Sequence, residues 1–235
     1  MKSIIKLKRM LGILSSDEYV NWLRSTGIDI GKEVKFFDTK NVIVDVTRPW
    51  LISIGNYTKI TSGVVILSHD YSLSVLRRVY GEWIGEAGKT KIGDNCFIGI
   101  NSIILMGTNI GNNVIVGAGS VVNGIIPDNV VIAGNPARII CSLEEYYNKR
   151  KSKTVDEAMV CINEYKNVYG VYPKPRDLEG FKFLFAPRDA DYINNNQLSF
   201  KCSGDEPDEV KQAFFESVPV FESFEELLEK AERNH

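Results

Sequence analysis

Residues Ile92–Val122 read IGDNCF-IGINSI-ILMGTN-IGNNVI-VGAGSV-V, and the way they repeat decides the fold. An aliphatic residue returns at every sixth position: Ile92, Ile98, Ile104, Ile110, Val116 and Val122. Glycine follows it at Gly93, Gly99, Gly111 and Gly117. A small or β-branched residue stands four places on, at Cys96, Ser102, Thr108, Val114 and Ser120. A helix repeats every 3.6 residues and a strand alternates every second one, so neither yields a period of six. A three-sided coil of short parallel strands does. Each hexad makes one flat side with its aliphatic residue pointing inward, and Gly, Asn or Asp at the corner accepts backbone angles that β-branched residues resist. Three hexads close a turn of about 18 residues, which stacks Ile110 over Ile92 and Val116 over Ile98 at a strand spacing of about 4.8 Å.

The same style extends upstream through Ile54, Ile60 and Ile66, with Gly55 beside the first and Thr58 and Val64 at the fifth position. Ile30-Gly31-Lys32-Glu33-Val34 starts the pattern 24 residues before Ile54, which reads as four whole periods. The register then breaks, because Ile66 and Ile92 are 26 residues apart. Removing one hexad leaves about 20 residues, YSLSVLRRVYGEWIGEAGKT, a loop over about 71–90 thrown out from a corner; loops of that length in a compact domain usually carry function. His69 stands just before it, in VILSHDYS (65–72). The chain has two histidines, and the other is His235.

Residues 1–29 read as a helical segment, with Ser15 three places before Glu18 in a capping box. After the β-helix of residues 30–141, residues 142–235 read as a helical or mixed extension. Ser142 and Thr154 each open a capping signature, with Met159, Ile162, Tyr165 and Val168 at helical spacing behind the second, and Ser223 caps a last helix. Within the extension, FKFLF (181–185) reads as a possible strand.

The composition excludes several classes. The chain has 235 residues, 44% of them hydrophobic, and a formal charge of −2 that gives no reason to expect nucleic acid. Residues 1–141 carry about four more basic than acidic side chains, and residues 142–235 about six more acidic than basic. The basic excess suits an anionic cofactor. Cys96, Cys141, Cys161 and Cys202 form no CxxC pair, so neither a disulfide framework nor a zinc ribbon is indicated. MKSIIKLKRMLGIL lacks the uninterrupted apolar core and cleavage site of a signal peptide, and no stretch reaches the ~18 apolar residues of a membrane span. The expected location is cytoplasmic.

The hexads from Ile92 to Val122, SHDYS with its following loop, and the closing stretch IPDNVVIAGNPARII (126–140) together resemble the hexapeptide-repeat acyltransferases. The resemblance is nearest to the maltose, galactoside and nodulation-type O-acetyltransferases and covers about residues 30–141. It implies a left-handed parallel β-helix, a homotrimer with sites between subunits, and transfer of an acetyl group from acetyl-CoA to a hydroxyl or amine of a small-molecule or glycan acceptor. The family's catalytic histidine maps onto His69, which would act as general base, since attack of an alcohol on a thioester needs a positioned proton acceptor. Asn41, Asp45 and Glu82 are candidates to orient its ring. For CoA, the resemblance implies Phe97 and Asn101 beside the pantetheine, the backbone at Ala118 and Gly119 as its amide contacts, and Arg138 near the phosphates. Relatives often carry Thr-Lys-Asp where this chain has Asn123-Gly124-Ile125, so Asn123 stands in place of the first of these and the lysine is missing.

Other readings are open at this level. His69 could be a structural corner histidine. The acceptor could be an amine of an aminosugar or antibiotic, or the chain could be a non-catalytic scaffold. A zinc carbonic anhydrase site needs three histidines per metal, which one internal histidine per chain does not supply between neighbours. A sugar nucleotidyltransferase would need a nucleotide-binding domain larger than residues 1–29.

Overall fold

The computed structural model describes residues 2–200 and 204–233, so Cys202 and His235 lie outside the described residues. The chain divides into two compact units, one running to Tyr146 and the other beginning at Tyr147.

The first unit is a three-sided prism of short strands. Its parallel strands stack coil on coil into three sheets, one per side. The first side holds Asp29–Ile30, Ile52–Ile54, Thr90–Ile92, Asn109–Ile110 and Ile125–Ile126. The second holds Lys35–Phe36, Lys59–Ile60, Phe97–Ile98, Ile115–Val116 and Val130–Gly134, and the antiparallel strand Ala137–Ser142 folds back on the last of these. The third holds Ile43–Val44, Val65–Ile66, Ile103–Ile104 and Val121–Val122. Ile110 pairs with Ile92, Val116 with Ile98 and Val122 with Ile104, each 18 residues on. Ile60, Ile66, Ile98, Ile104, Ile110, Val116 and Val122 are fully buried in the column. At about 1.5–3 kcal/mol for each buried side chain, this column is the main source of the unit's stability.

Small polar residues also point inward and find partners in the neighbouring coil. Thr58 Oγ1 donates to the Gly93 carbonyl at 2.9 Å and Ser102 Oγ to the Gly117 carbonyl at 3.1 Å. A buried hydroxyl satisfied in this way avoids the desolvation penalty that otherwise excludes it from a core.

The corners divide their demands between two residue types. Asn95, Asn101, Asn113 and Asn129 hold left-handed backbone (φ 52° to 60°), and Asn95, Asn113 and Asn129 form a side-chain amide ladder with 2.9 Å steps. The glycine after each inward aliphatic residue has a different reason. A Cβ on Gly99 would sit 2.6 Å from the Val116 carbonyl oxygen, so this position is glycine because the next coil approaches too closely. Backbone angle is not what requires it there.

Four expectations are corrected, the last of them at Thr154 below. The 24-residue step from Ile30 to Ile54 is a single turn, since Ile30 pairs with Ile54 directly. Extra residues enter at two corners, after Phe36 and after Val44, the second containing the 3₁₀ turn Pro49–Leu51. The 71–90 segment is not irregular throughout but contains the helix Leu73–Tyr80, closed by Gly81 in left-handed conformation. In the extension, FKFLF is not a strand. Lys182–Phe185 is a helical turn that buries Leu184 and Phe185.

The Ser15 capping box opens the helix Ser16–Thr26, which lays Tyr19, Val20 and Leu23 against the first coils. The helix Lys2–Met10 precedes it. The Ser142 cap opens one continuous helix, Leu143–Tyr169. Thr154 starts no second helix, because its hydroxyl bonds back to the Arg150 carbonyl at 2.9 Å inside the first. The second unit is helical around Ala158, Ile162, Phe185, Phe214, Phe224 and Leu227.

Candidate active site

Two insertions into the repeat meet at one edge of the prism. The corner after the third side carries the residues following Val44 in one coil and those following Ile66 in the next, because Val44 pairs with Ile66. Asp45 leaves the first and Ser68-His69 leave the second. Asp45 is buried and works entirely as an acceptor. Its Oδ1 receives the Thr47 N–H at 2.9 Å and the Thr47 hydroxyl at 2.7 Å. Its Oδ2 receives the Ser68 N–H at 3.1 Å and the Ser68 hydroxyl at 2.5 Å. The same Oδ2 lies 2.6 Å from His69 Nδ1.

These contacts set both ionisation and tautomer. Burial pushes the Asp45 carboxyl up, but the hydrogen bonds from Ser68, Thr47 and His69 together outweigh it and hold the group well below the usual carboxylate range. An ionised carboxylate has no proton to give, so His69 Nδ1 must be the donor in the 2.6 Å contact. The neutral ring therefore presents Nε2 as a bare acceptor. The His69 side chain is 31% exposed while that of Asp45 is 5% exposed, so the ring reaches solvent from a dry support. This arrangement suits proton abstraction from a substrate hydroxyl or amine.

Of the three candidates for orienting the ring, Asp45 is at His69. Asn41 is not. It lies in the insertion after the second side, at the opposite edge of the third, and its amide donates to Asp38 at 2.5 Å. Glu82 is exposed in the loop, and the contacts of the His69 ring go to Asp45 and Thr47 instead. Thr47 and Ser68 escaped the sequence reading. The one usable signal was Asp45-Val46-Thr47, since an Asp accepting from a backbone N–H two residues on is a common local turn.

The candidate cofactor residues separate into two groups. Asn101 and Ala118-Gly119 share the edge between the second and third sides, one coil apart, with Phe97 on the adjoining strand of the second side. Arg138 stands above them on the folded-back strand, exposed, its guanidinium bonded to the Ala137 carbonyl at 2.9 Å. Asn123 is exposed on the His69 edge instead. The Gly119 N–H donates to the Ile100 carbonyl at 2.8 Å, so that amide is engaged within the prism.

The third side separates these two edges, and its outward residues are all aliphatic: Ile43, Val65, Ile103 and Val121. The outward residues of the first side are mostly polar, namely Asp29, Ser53, Lys91 and Asn109, with Ile125 last.

Comparison with known proteins agrees with this architecture. Residues 89–123 match the family described as "Hexapeptide repeat of succinyl-transferase". The chain is 46% identical over 143 residues to Protein CapG of Staphylococcus aureus, covering 61% of this chain and 80% of that one. It is 36% identical over 133 residues to a putative acetyltransferase, YvoF, of Bacillus subtilis, covering 56% and 71%. A putative lipopolysaccharide biosynthesis O-acetyl transferase of Escherichia coli, WbbJ, is 38% identical over 120 residues, 47% of this chain and 61% of that one. An N-acetyltransferase of Clostridium perfringens, named for 2,3,4,5-tetrahydropyridine-2,6-dicarboxylate, matches over 63 residues at 49% identity, a quarter (25%) of its length. On the repeat, the three-sided coil of parallel strands and these relatives together, the chain belongs to the hexapeptide-repeat acetyltransferases.

Proposed function

We propose that the chain transfers an acetyl group from acetyl-CoA to a hydroxyl of a sugar or glycan, with His69 as general base. The observation that carries this reading is the Asp45–His69 pair, 2.6 Å apart, with the His69 side chain partly exposed at the root of a long loop. The acceptor hydroxyl gives its proton to His69 Nε2 as its oxygen attacks the thioester carbonyl. Ionised Asp45 stabilises the imidazolium that forms. Collapse of the tetrahedral intermediate expels the CoA thiolate, and the proton on Nε2 passes to that sulfur, so the histidine returns to its starting state. A hydroxyl acceptor is favoured over an amine because the O-acetyl relative matches across 120 residues, whereas the N-acetyl relative matches over 63.

The site is proposed to lie between subunits of a homotrimer. Within one chain the His69 edge and the Ala118 edge are on opposite margins of the third side, so a cofactor along one does not share a groove with a base on the other. An aliphatic outer face is what a subunit contact would cover. Phe97, Asn101, Ala118 and Arg138 would then meet CoA on one chain while His69 comes from its neighbour.

The test uses purified protein, acetyl-CoA and a panel of sugars and aminosugars, following release of free thiol. His69→Ala should lower turnover by about 10²–10⁴ with the fold and sedimentation unchanged. A folded His69→Ala variant with wild-type turnover sinks the mechanism, and a ~26 kDa species at working concentration sinks the shared site.

A further inference from the structure

We infer that the helix Lys2–Met10, with the turn that follows it, is a docking surface for an anionic lipid bilayer. The helix is seated through one side only. Ile5 packs against the buried core, Arg9 donates to the Thr39 carbonyl at 2.9 Å and to that of Val42, and Lys8 is paired with Glu18. The opposite side carries Ile4, Leu7, Met10 and Leu11, and Ile13 continues it beyond the helix. All five side chains are more than half exposed. At 100° per residue Ile4, Leu7, Met10 and Leu11 fall within a single third of the helix circumference, so they form one stripe.

The charge around the stripe selects its occupant. Residues 2–16 contain four basic and no acidic residues; Lys8 and Arg9 are held in the seat, and Lys6 is exposed beside the stripe. The Lys40 side chain reaches the same surface, its Cδ 3.8 Å from where a Cβ on Gly12 would stand. Glu18 is ion-paired with Lys8 and Asp17 with Lys35, while Asp38 stays ionised, hydrogen-bonded to Ser62 and Asn41. An apolar stripe bordered by lysines is the form of a helix that lies in the plane of a membrane interface, with its apolar residues among the acyl chains and its cations at anionic headgroups. No described helix is long and apolar enough to cross a membrane, so the association would be at the surface. A protein partner would need acidic side chains around an apolar groove. The lipid surface supplies both properties with no matched shape, as befits a stripe of flexible Leu, Ile and Met.

The test is co-sedimentation of the full chain with phosphatidylcholine vesicles containing 30% phosphatidylglycerol, and with pure phosphatidylcholine, at two salt concentrations. Binding to the anionic vesicles should weaken at high salt, because surface attraction is screened. Leu7→Asp should reduce it more than tenfold, with the melting temperature unchanged. Lys6→Glu, which leaves the stripe intact, should weaken it about fivefold or more. Three results would overturn the inference. The wild-type chain could fail to sediment with anionic vesicles, Leu7→Asp could bind as well as wild type, or Leu7→Asp could shrink the oligomer, which would place a second copy of the chain on the stripe.

Discussion

Replacing Asp45 with Asn tests the proposed base directly, because it changes two atoms' chemistry and almost no volume. The carboxylate accepts at both oxygens, from Thr47 on Oδ1 and from Ser68 and His69 on Oδ2. An amide has one oxygen, so whichever way it turns its NH₂ faces a fixed backbone N–H, that of Thr47 or that of Ser68. If the NH₂ faces Ser68, it also faces His69 Nδ1 and forces that nitrogen to accept. The proton then sits on Nε2, and the ring no longer serves as a base. If the oxygen stays toward His69 the tautomer survives, but the imidazolium loses its anionic partner. A hydrogen bond to a charged group is worth about 1.5–3 kcal/mol, which is about ten- to 150-fold in rate. kcat/KM should therefore fall at least tenfold, and up to about 10⁴-fold if the tautomer switches.

The same carboxylate contributes to stability, and the sign is fixed by the direction of its shift. Its folded pKa is depressed, so its contribution is fully present above the unfolded value of about 3.9 and is lost as pH falls through the lower folded value. Asp45→Asn should lower the melting temperature by several degrees at pH 7, corresponding to roughly 2 kcal/mol. That gap should narrow as pH drops below about 4. Thiol-release kinetics and thermal melts at pH 7 and pH 3 check both parts. A folded variant with wild-type kcat/KM would show that Asp45 does not hold the base. A gap unchanged at pH 3 would refute the assignment of an ionised, hydrogen-bonded carboxylate.

Three further outcomes test the scaffold. Ile110→Asp places a carboxylate in a fully buried position beside Ile92; it should forfeit about 1.5–3 kcal/mol of burial plus a larger charge penalty and prevent folding, whereas Asn112→Ala on the exposed corner should cost about 1 kcal/mol in a denaturant melt. Gly99→Ala drives a methyl to within 2.6 Å of the Val116 carbonyl oxygen and should destabilise by about 1–3 kcal/mol, although Ala suits the backbone angle. Burial pushes the Cys96 thiol up to about 11, so a thiol reagent at pH 8 should label exposed Cys161 and reach Cys96 only after denaturation, as read by mass spectrometry.

The prism was legible in the sequence because its cause is local and repeated. Each hexad meets the same requirement for an inward aliphatic residue and a tight corner, so Ile92 to Val122 carry the period without help from distant residues. Helix starts were legible for the same reason at Ser15, Ser142 and Ser223, where the capping residues are three positions apart. Failures came where contacts are long-range. FKFLF has a strand's composition but turns helical because Leu184 and Phe185 must reach the phenylalanine cluster of the second unit. Thr154 matches a cap, yet the helix already running through it leaves no free N–H groups to satisfy.

The sequence alone determined the coil, the break in register at His69, and the histidine as the candidate base. Which acidic or amide group lies beside that histidine was left open among Asn41, Asp45 and Glu82. Only the tertiary structure decided it. The pairing of Val44 with Ile66 brings Asp45 and His69, 24 residues apart, to adjacent coils of the same edge. The same register carries Asn41 to the far margin of the third side. That pairing joins residues 22 apart in sequence, and no local propensity encodes a long-range register.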